Sequence, residues 1–305
     1  MALSPGLKRL LLLAALGAVA LGLAGFITGA IGASFRGASP LLPPPHVELA
    51  AERLPWHLGP LPLRNTYLSA WLATLVLIGL FLLALRKRSI VPGRLQSLAE
   101  VIVEGLLNFI KGVVGEEKAR ALLPVIATIF LFVSFNAWLA LLPIYPSLGF
   151  FKTVEEHGET KTVLVPLLRS AGTDLNMPLA LAVVSFIFVE SWGFRTLGLS
   201  YAGKFVRVGN LLRGRVLLGG IDLFVGVLEG FSELVRIISF TFRLFGNMTA
   251  GEILVVLSAF LVSFVFTVPF YGLEILVGFV QALIFAGLTL VFTVVAITPH
   301  GEGGH

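Results

Sequence analysis

Residues 216–262 read VLLGGIDLFVGVLEGFSELVRIISFTFRLFGNMTAGEILVVLSAFLV, an apolar segment much longer than the ~20 residues that one membrane crossing needs. Arg243 lies within it. An arginine at the centre of a bilayer costs ~2.5–3.5 kcal/mol on insertion scales. The guanidinium cannot escape this cost by losing its proton. We therefore expect Arg243 either to pair with a nearby carboxylate or to have a functional role.

The composition around this segment is that of a membrane protein. Of 305 residues, 57% are hydrophobic and 13% are charged, and the mean hydropathy is +0.96. Soluble domains are usually ~45–50% apolar and ~25% charged. The length would suit two soluble domains, but the apolar runs predict one polytopic domain in the lipid bilayer.

Several kinds of site are excluded by the residues present. The chain has no cysteine, so it has no disulfide, thiol nucleophile or cysteine-based metal site. It has neither a GxxxxGKS/T motif nor a Rossmann glycine pattern, so no nucleotide and no cofactor are predicted. A histidine-rich metal centre in the membrane is not expected either, because all five histidines fall in predicted loops or at the C-terminus: His46, His57, His157, His300 and His305.

Six apolar runs predict about six membrane helices and an all-α polytopic fold. The runs are 10–35, 67–85, 121–143, 175–194, 216–262 and 263–299. The last two are longer than one crossing requires, so they predict long, tilted helices that form a hairpin. We expect the turn near Val268-Pro269-Phe270, because proline is poorly compatible with a helix interior.

Two further segments have their own patterns. Residues 94–118 place apolar side chains at helical spacing among polar ones, which predicts one amphipathic helix in the membrane interface. A soluble linker helix is the alternative, but membrane spans flank the segment on both sides. Residues 1–36 form an extra N-terminal hydrophobic segment that begins with Lys8 and Arg9, which fits a retained membrane helix or a signal peptide. The length of its apolar run favours a retained helix.

The distribution of Lys and Arg predicts the orientation of the chain. With the N-terminus inside, 14 of these residues fall on the cytoplasmic side and 6 on the other side, while Arg236 and Arg243 lie within the membrane. Basic residues accumulate on the cytoplasmic side of membrane proteins. Both termini are therefore predicted to be cytoplasmic and residues 37–64 external. The basic pI of about 9.7 reflects this topology, and no nucleic-acid partner is predicted.

The long fifth helix carries a polar stripe. Asp222, Glu229, Arg236 and Arg243 are spaced by seven residues, so each is displaced only ~20° around the helix from the last. Three more polar residues at offsets of three or four widen the stripe, and these are Glu233, Ser239 and Asn247. Such a stripe is expected to face a protein partner or a water-filled cavity, because lipid cannot solvate it.

A second polar region is predicted where the two long helices meet. Glu252 follows Arg243 by nine residues, which places it on the opposite helix face and about 13 Å further along. Glu274 and Gln281 share one face of the last helix. In an antiparallel hairpin Glu252 would face Glu274, and Arg243 would face Gln281. A simple hydrogen bond between helices, worth ~0.6–2 kcal/mol, is the alternative role for Gln281.

An ordered series of motifs points to one family. Residues 92–96 read PGRLQ, 129–132 read IFLF, 174–176 read DLN, 228–230 read LEG, 243–248 read RLFGNM, 250–252 read AGE and 281–285 read QALIF, with Asn136, Arg236 and Ser239 between them. This series resembles the a subunit of F-type ATP synthases, the stator half of a proton channel. The resemblance covers residues 60–300, which we interpret as the membrane domain of that family. Residues 1–36 have no counterpart in its simplest members.

The resemblance implies a non-catalytic, proton-translocating subunit of the cell inner (plasma) membrane. Its implied partners are a rotating ring of c subunits, the b subunits of the peripheral stalk and, indirectly, the catalytic head. Arg243 would favour ionisation of a passing ring carboxylate and separate two offset half-channels. The implied proton pathway comprises Glu252, Glu274, Gln281, Asn247, Ser239, Glu229 and Asp174. Position 274 departs from some members, which carry histidine there.

Two other classes of membrane protein remain as alternatives. A proton- or ion-coupled secondary transporter would also place charges in the membrane, but such proteins usually show two related halves with interrupted helices. No internal repeat is evident, and the charges concentrate in one helical hairpin. A purely structural membrane anchor would not need Arg243 and Glu252 on opposite faces of one helix. The sequence therefore favours the stator proton-channel subunit.

Overall fold

The computed structural model describes residues 4–42, 44–45, 51–58, 61–86, 92–156, 159–205 and 216–298. Within these ranges, six helices are long and apolar enough to cross a membrane. The predicted helical class and number of spans are therefore confirmed. His46, His157, His300, His305 and both chain ends lie outside the described residues.

The helices follow the predicted apolar runs closely. In chain order the described helices are α1 Pro5–Thr28, α2 Ala30–Arg36, α3 Asn65–Leu85, α4 Arg94–Val114, α5 Glu116–Ala140, α6 Ile144–Ser147, α7 Asn176–Leu197, α8 Val216–Leu261 and α9 Val268–Ile297. Short 3-10 helices cover Ala171–Thr173, Gly198–Lys204 and Phe264–Thr267. The candidate spans are α1, α3, α5, α7, α8 and α9, the last with the 3-10 turn that precedes it.

Two β-hairpins in connecting loops go beyond the all-α expectation. Strands β1 Arg53–Leu58 and β2 Leu61–Arg64 pair antiparallel, and so do β3 Gly149–Glu156 and β4 Glu159–Pro166. The second hairpin is regular, with Gly149 opposite Pro166 at its base. Its β-branched and aromatic residues favour strands. Each strand is too short to cross a bilayer, so a search for membrane helices passes over it.

The predicted amphipathic helix at 94–118 is shorter than expected. Helix α4 ends at Val114, and Gly115 takes a left-handed φ of 79° that ends it. Glu116–Lys118 instead form the first turn of α5, which corrects the predicted boundary. Glycine tolerates positive φ without steric cost, and two acidic residues then suit the positive N-terminal end of α5.

The turn between the two long helices is also displaced from its predicted place. Helix α8 ends at Leu261, and Phe264 takes a φ of 64°, which is unusual for a bulky residue. The prediction near Val268-Pro269-Phe270 was wrong because Pro269 lies in the first turn of α9. Proline fits there, since the first amides of a helix have no partner within the helix.

The apolar core surrounds α5, which packs against α3, α4 and α9. Its most deeply buried members are Ile110, Leu122, Ile126, Phe285 and Leu290. By contrast, most side chains of α1 and many on α8 are exposed apolar groups, as expected for surfaces that face lipid or another subunit. Helix α5 thus holds the bundle together, while one face of α8 stays open.

Several contacts bring the β-hairpins to one end of the bundle, which we name the hairpin end. Lys152 of β3 pairs with Glu52 at 3.0 Å, which joins the two β-hairpins. At the same end, the Ser263 amide after α8 donates to the Gly25 carbonyl of α1 at 3.2 Å. The segments after α1, α5 and α8 therefore share one end, as alternating crossings require.

Candidate functional site

Arg243 has few partners within the subunit. Its Nη2 donates to Ser239 Oγ, one turn earlier on α8, at 3.4 Å. The guanidinium carbon lies 5.8 Å from the centroid of the Phe240 ring. In the described part of the chain no carboxylate contacts Arg243, so the alternative of an internal ion pair is not observed. Ser239 and Asn247 are exposed on the same face of α8. The polar row therefore opens away from the bundle.

Gln281 of α9 joins this row through Asn247. Asn247 Nδ2 donates to Gln281 Oε1 at 2.5 Å. The predicted pairing of Gln281 with Arg243 is therefore wrong by one helical turn. Gln281 is 2% exposed, and its Nε2 has no hydrogen-bond partner among the described residues. Buried amides normally have a partner, so this donor is available for a water molecule or a passing group.

A cavity of about 130 Å³ lies between α5, α6, the segment before α7, α8 and α9. A cavity needs about 10–15 Å³ to hold one water, so several could occupy it. Its polar lining residues are Tyr145, Arg169, Ser170, Glu252, Tyr271 and Glu274. The two carboxylates that the sequence predicts to be neighbours thus border one cavity.

A smaller cavity continues in the direction of Arg243. It measures about 20 Å³ and shares Ala137, Ser170 and Met248 with the larger one. Asn136 and Leu244, the residue after Arg243, complete its inner end. The two cavities adjoin each other, and the smaller one is bordered by Leu244, the residue next to Arg243.

Glu252 forms an ion pair that the sequence does not predict. Arg169 Nε donates to its two carboxylate oxygens at 3.1 and 3.2 Å. Arg169 is only 8% exposed, whereas the side chain of Glu252 is 36% exposed. Glu252 therefore turns to Arg169 and does not pair directly with Glu274, which corrects the predicted contact.

Glu274 is buried against a glycine of α8. Its carboxylate occupies the space in which any β-carbon at Gly251 would lie. In the described part of the chain no hydrogen bond reaches this carboxylate. Glu274 of α9 lies opposite Gly251 of α8, and Gln281 of α9 lies opposite Asn247 of α8. The two residues of α9 are seven positions apart, whereas their partners on α8 are only four positions apart. The two contacts do not share one register, so the contact of Gln281 is displaced from the predicted Arg243 to Asn247.

The backbone that carries Arg169 is fixed by α3. The amide of Arg169 donates to Ser69 Oγ at 2.9 Å, and Ser69 in turn donates to the Asn65 carbonyl at 3.2 Å. Tyr145 packs at the same point. Burial raises the pKa of the Tyr145 phenol, and a hydrogen bond with Ser69 partly opposes this shift. The phenol therefore stays protonated and can hydrogen-bond water in the cavity.

Asp174 has a different environment from the two glutamates. Its carboxylate accepts from Arg64 Nη1 at 3.1 Å, from Thr66 Oγ1 at 3.0 Å and from both nitrogens of Asn176 at 3.0 and 3.1 Å. Asp174 is buried and does not line the larger cavity. These contacts join the segment before α7 to the start of α3.

A second polar cluster lies at the other end of α8. Arg236 Nη1 pairs with Glu233 Oε2 at 2.5 Å, and its guanidinium carbon lies 3.7 Å from the centroid of Phe292. Tyr201 Oη donates to Glu190 at 3.2 Å. Burial raises the pKa of Tyr201, and the charge of Glu190 adds to the shift. Glu229 is half-buried between this cluster and Asp222. We name Glu190, Tyr201, Glu233, Arg236 and Phe292 the inner cluster.

Sequence reasoning did not identify Arg169, Tyr145, Tyr201 or Glu190 as site residues. Arg169 counts as an external basic residue in the topology, and it precedes its partner by 83 positions. Its one detectable signal is its position five residues before the DLN motif, in a segment otherwise poor in charge. The aromatic and acidic partners gave no periodic pattern, because they lie on separate elements.

Two comparisons with known proteins identify the family of this chain. A profile of the family described as ATP synthase A chain matches residues 67–294. The chain is 33% identical over 252 residues to ATP synthase subunit a of Gloeobacter violaceus, covering 82% of this chain and 91% of that protein. It is 33% identical to the Mycobacterium tuberculosis subunit, with 81% and 92% covered, and 29% identical to that of Moorella thermoacetica, with 81% and 96% covered. The chain therefore belongs to the ATP synthase subunit a family.

Proposed function

We propose that Arg243 separates two proton half-channels in this chain and that the cavity bordered by Glu252 and Glu274 is one of them. As a subunit a, the chain is the proton-channel stator of an F-type ATP synthase and a multi-pass membrane protein. The observation that supports the residue-level proposal is the pair of adjoining cavities, one bordered by the two carboxylates and the other by Leu244, the residue next to Arg243. A secondary transporter is not favoured, because the family and the relatives are all subunit a.

The inlet half-channel begins at the hairpin end in this proposal. Protons from outside reach Glu252 and then Glu274, with waters of the cavity and Tyr145 as hydrogen-bond partners. The path continues past Ser170 and Met248 to the Asn247–Gln281 pair, where Gln281 Nε2 is without a partner in the described residues. There the proton would transfer to a carboxyl group of the c-subunit ring.

Arg243 supplies a permanent positive charge on the open face of α8. Because no carboxylate of the described chain neutralises it, it can interact with an ionised ring carboxylate as the ring turns. An opposite charge at close range favours the ionised form of a carboxyl group. The same fixed charge opposes direct passage of a proton between the half-channels. Arg243 thus couples proton flow to rotation.

The outlet half-channel would run along α8 to the cytoplasm. Ser239 lies one turn from Arg243, and Glu229 lies about 21 Å from it at ~1.5 Å per residue. Both residues belong to the polar stripe. Asp174 is a weaker candidate for a proton carrier, because several donors already hold its carboxylate. We assign it the role of holding the segment that carries Arg169.

The partners and orientation extend this proposal. The open face of α8 would contact the c ring, and other surfaces would contact the b subunits of the peripheral stalk, which link the chain to the catalytic head. The hairpin end is external and both termini are cytoplasmic, in the plasma membrane. Residues 1–36 are retained, because α1 contributes the Gly25 carbonyl to Ser263 at the turn of the long hairpin.

Labelling of single cysteines at positions 3, 60 and 303 tests this topology. Labelling of positions 3 and 60 from the same side would remove the extra span.

ATP-driven proton pumping by the reconstituted complex tests the inlet. Glu252→Gln is expected to slow pumping severely, and Glu274→Gln is expected to slow it by a similar or smaller factor. Glu100→Gln is the matched control, because Glu100 is an exposed residue of α4 remote from the cavity. If both glutamate substitutions, alone and together, left pumping at the wild-type rate, the inlet would lie elsewhere, and the path along Asp174 would be examined next.

A further inference from the structure

Among the described residues, Arg169 is the single cation that lines the larger cavity. The described ionisable groups that line the cavity are Tyr145 of α6, Arg169 before α7, Glu252 of α8, and Tyr271 and Glu274 of α9, whereas α5 contributes only apolar side chains. The described lining of the cavity therefore contains one cation and two carboxyl groups. A guanidinium cannot be neutralised by losing its proton, so Arg169 always favours one negative partner within its reach.

Arg169 is fixed in place more firmly than Glu252. Its backbone amide is held by Ser69 Oγ at 2.9 Å, and the side chains of Ser69 and Arg169 are both buried. Five residues later, Asp174 is held by Arg64 and Thr66 of the adjoining element. Glu252, in contrast, is about one-third exposed, and every hydrogen bond described for its carboxylate comes from Arg169. The arginine is therefore the more firmly held member of the pair, and the glutamate is the more exposed one.

The carboxylates of Asp174 and Glu252 are held differently, and the ion pair of Glu252 with Arg169 is the easier one to break. Asp174 accepts hydrogen bonds from three side chains and one backbone amide, so no single rupture would free it. The Glu252 carboxylate depends on one partner and borders a cavity large enough for water. A single exchange of partner is therefore enough to release it.

We propose that Arg169 is a positioning residue that holds ionised Glu252 at the mouth of the inlet and releases it when a proton arrives. This rests on the proposed function of the cavity. A proton from external water binds a carboxylate oxygen of Glu252, and the neutral acid loses its attraction to Arg169. Its side chain turns into the cavity and passes the proton to a carboxylate oxygen of Glu274. Glu252 is then ionised again and returns to Arg169. Each cycle moves one proton inward and leaves the charge of the pair unchanged.

Chemical modification of Glu252 tests this pairing in the intact complex. A water-soluble carbodiimide reacts with the protonated acid, so a carboxylate held by an arginine is modified slowly. Arg169→Gln is expected to raise the modification rate of Glu252 roughly tenfold, the factor to which one charge-assisted hydrogen bond corresponds. Mass spectrometry of the peptide that contains Glu252 measures this rate. The matched control is Lys152→Gln, which removes the ion pair with Glu52 at the same end and should leave the modification of Glu252 unchanged.

A second variant covers the case in which Arg169→Gln does not assemble. Arg169→Lys keeps the charge but offers no planar fork to two oxygens, so an intermediate modification rate is expected. Equal rates in the wild type and in whichever Arg169 variant assembles would overturn the proposal, and so would an equal rise in Lys152→Gln. Failure of the proposed inlet itself would be seen separately, as wild-type pumping by Glu252→Gln with the modification result intact.

Discussion

Arg236 and Arg243 lie one heptad apart on the same stripe of the same helix, yet their surroundings are opposite. Arg236 pairs with Glu233 at 2.5 Å, stacks 3.7 Å from the Phe292 ring centroid and has a side chain that is 17% exposed. Arg243 contacts Ser239 at 3.4 Å and has no carboxylate partner in the described part of the chain. The first arginine is satisfied within the subunit, and the second is not.

The difference teaches that sequence position does not decide what an intramembrane arginine does. An arginine that is neutralised and stacked contributes to packing, and breaking its pair leaves a charge unpaired. An arginine on an open face keeps its charge for a partner outside the subunit. The carboxylates show the same contrast, since Asp174 is held by several donors whereas Glu274 borders a cavity without a described hydrogen bond. In each pair, the less satisfied group is the candidate for function.

The largest effect is expected from Arg243→Lys. Coupled ATP synthesis should fall to background, although the nominal charge is kept. Lysine is a compact ammonium that can lose its proton on burial, whereas a guanidinium stays charged and offers a planar set of donors. ATP synthesis by reconstituted complexes measures the loss. Substantial synthesis by this variant would show that charge alone suffices at this position, and the contrast with Arg236 would weaken.

A smaller and different effect is expected from Arg236→Ala. It should lower the thermal stability of the complex but leave coupling per assembled complex largely intact. The upper limit for breaking a buried ion pair is about 3–5 kcal/mol, and the partial exposure of Arg236 reduces it. The double variant Glu233→Gln/Arg236→Gln should be more stable than Arg236→Ala, because neither charge is then left alone. A loss of coupling as large as that of Arg243→Lys would contradict the proposed difference in role between Arg236 and Arg243.

The smallest effect is expected from Ser239→Ala. This change removes the one hydrogen bond described for Arg243 within the subunit, which is long at 3.4 Å. If Arg243 acts mainly on an external partner, ATP synthesis should remain within about twofold of the wild type, since a weak exposed hydrogen bond contributes ~0.5 kcal/mol or less. Loss of most activity would show that Ser239 holds the guanidinium in its working position.

Much of the fold could be predicted from the sequence, because apolar length and helical periodicity are properties of single segments. The six spans, the long hairpin and the amphipathic segment follow from them. The end of α4 and the position of the hairpin turn depended on the backbone conformations of Gly115 and Phe264, which hydropathy does not report. The β-hairpins were missed because their strands are too short to resemble membrane spans.

The candidate site was predictable only where a motif or a helical period carried it. Arg243, Asn247, Glu252, Glu274 and Gln281 were found in this way. The pairing of Glu252 with Arg169 could not be predicted, because it joins residues 83 positions apart through a loop whose path depends on α3 and Asp174. The partner of Gln281 is Asn247 and not Arg243, because residue spacing alone does not fix how two packed helices are aligned.

Passive proton permeability of vesicles that contain the Arg243→Ala complex tests the separating role of Arg243 most directly. With the fixed charge removed, the two half-channels are no longer insulated, so protons should leak across the membrane without rotation and ATP synthesis should be absent. Arg236→Ala in the same vesicles is the matched control and should not leak. A tight membrane with normal synthesis by Arg243→Ala would contradict the proposal outright and return this arginine to a structural role.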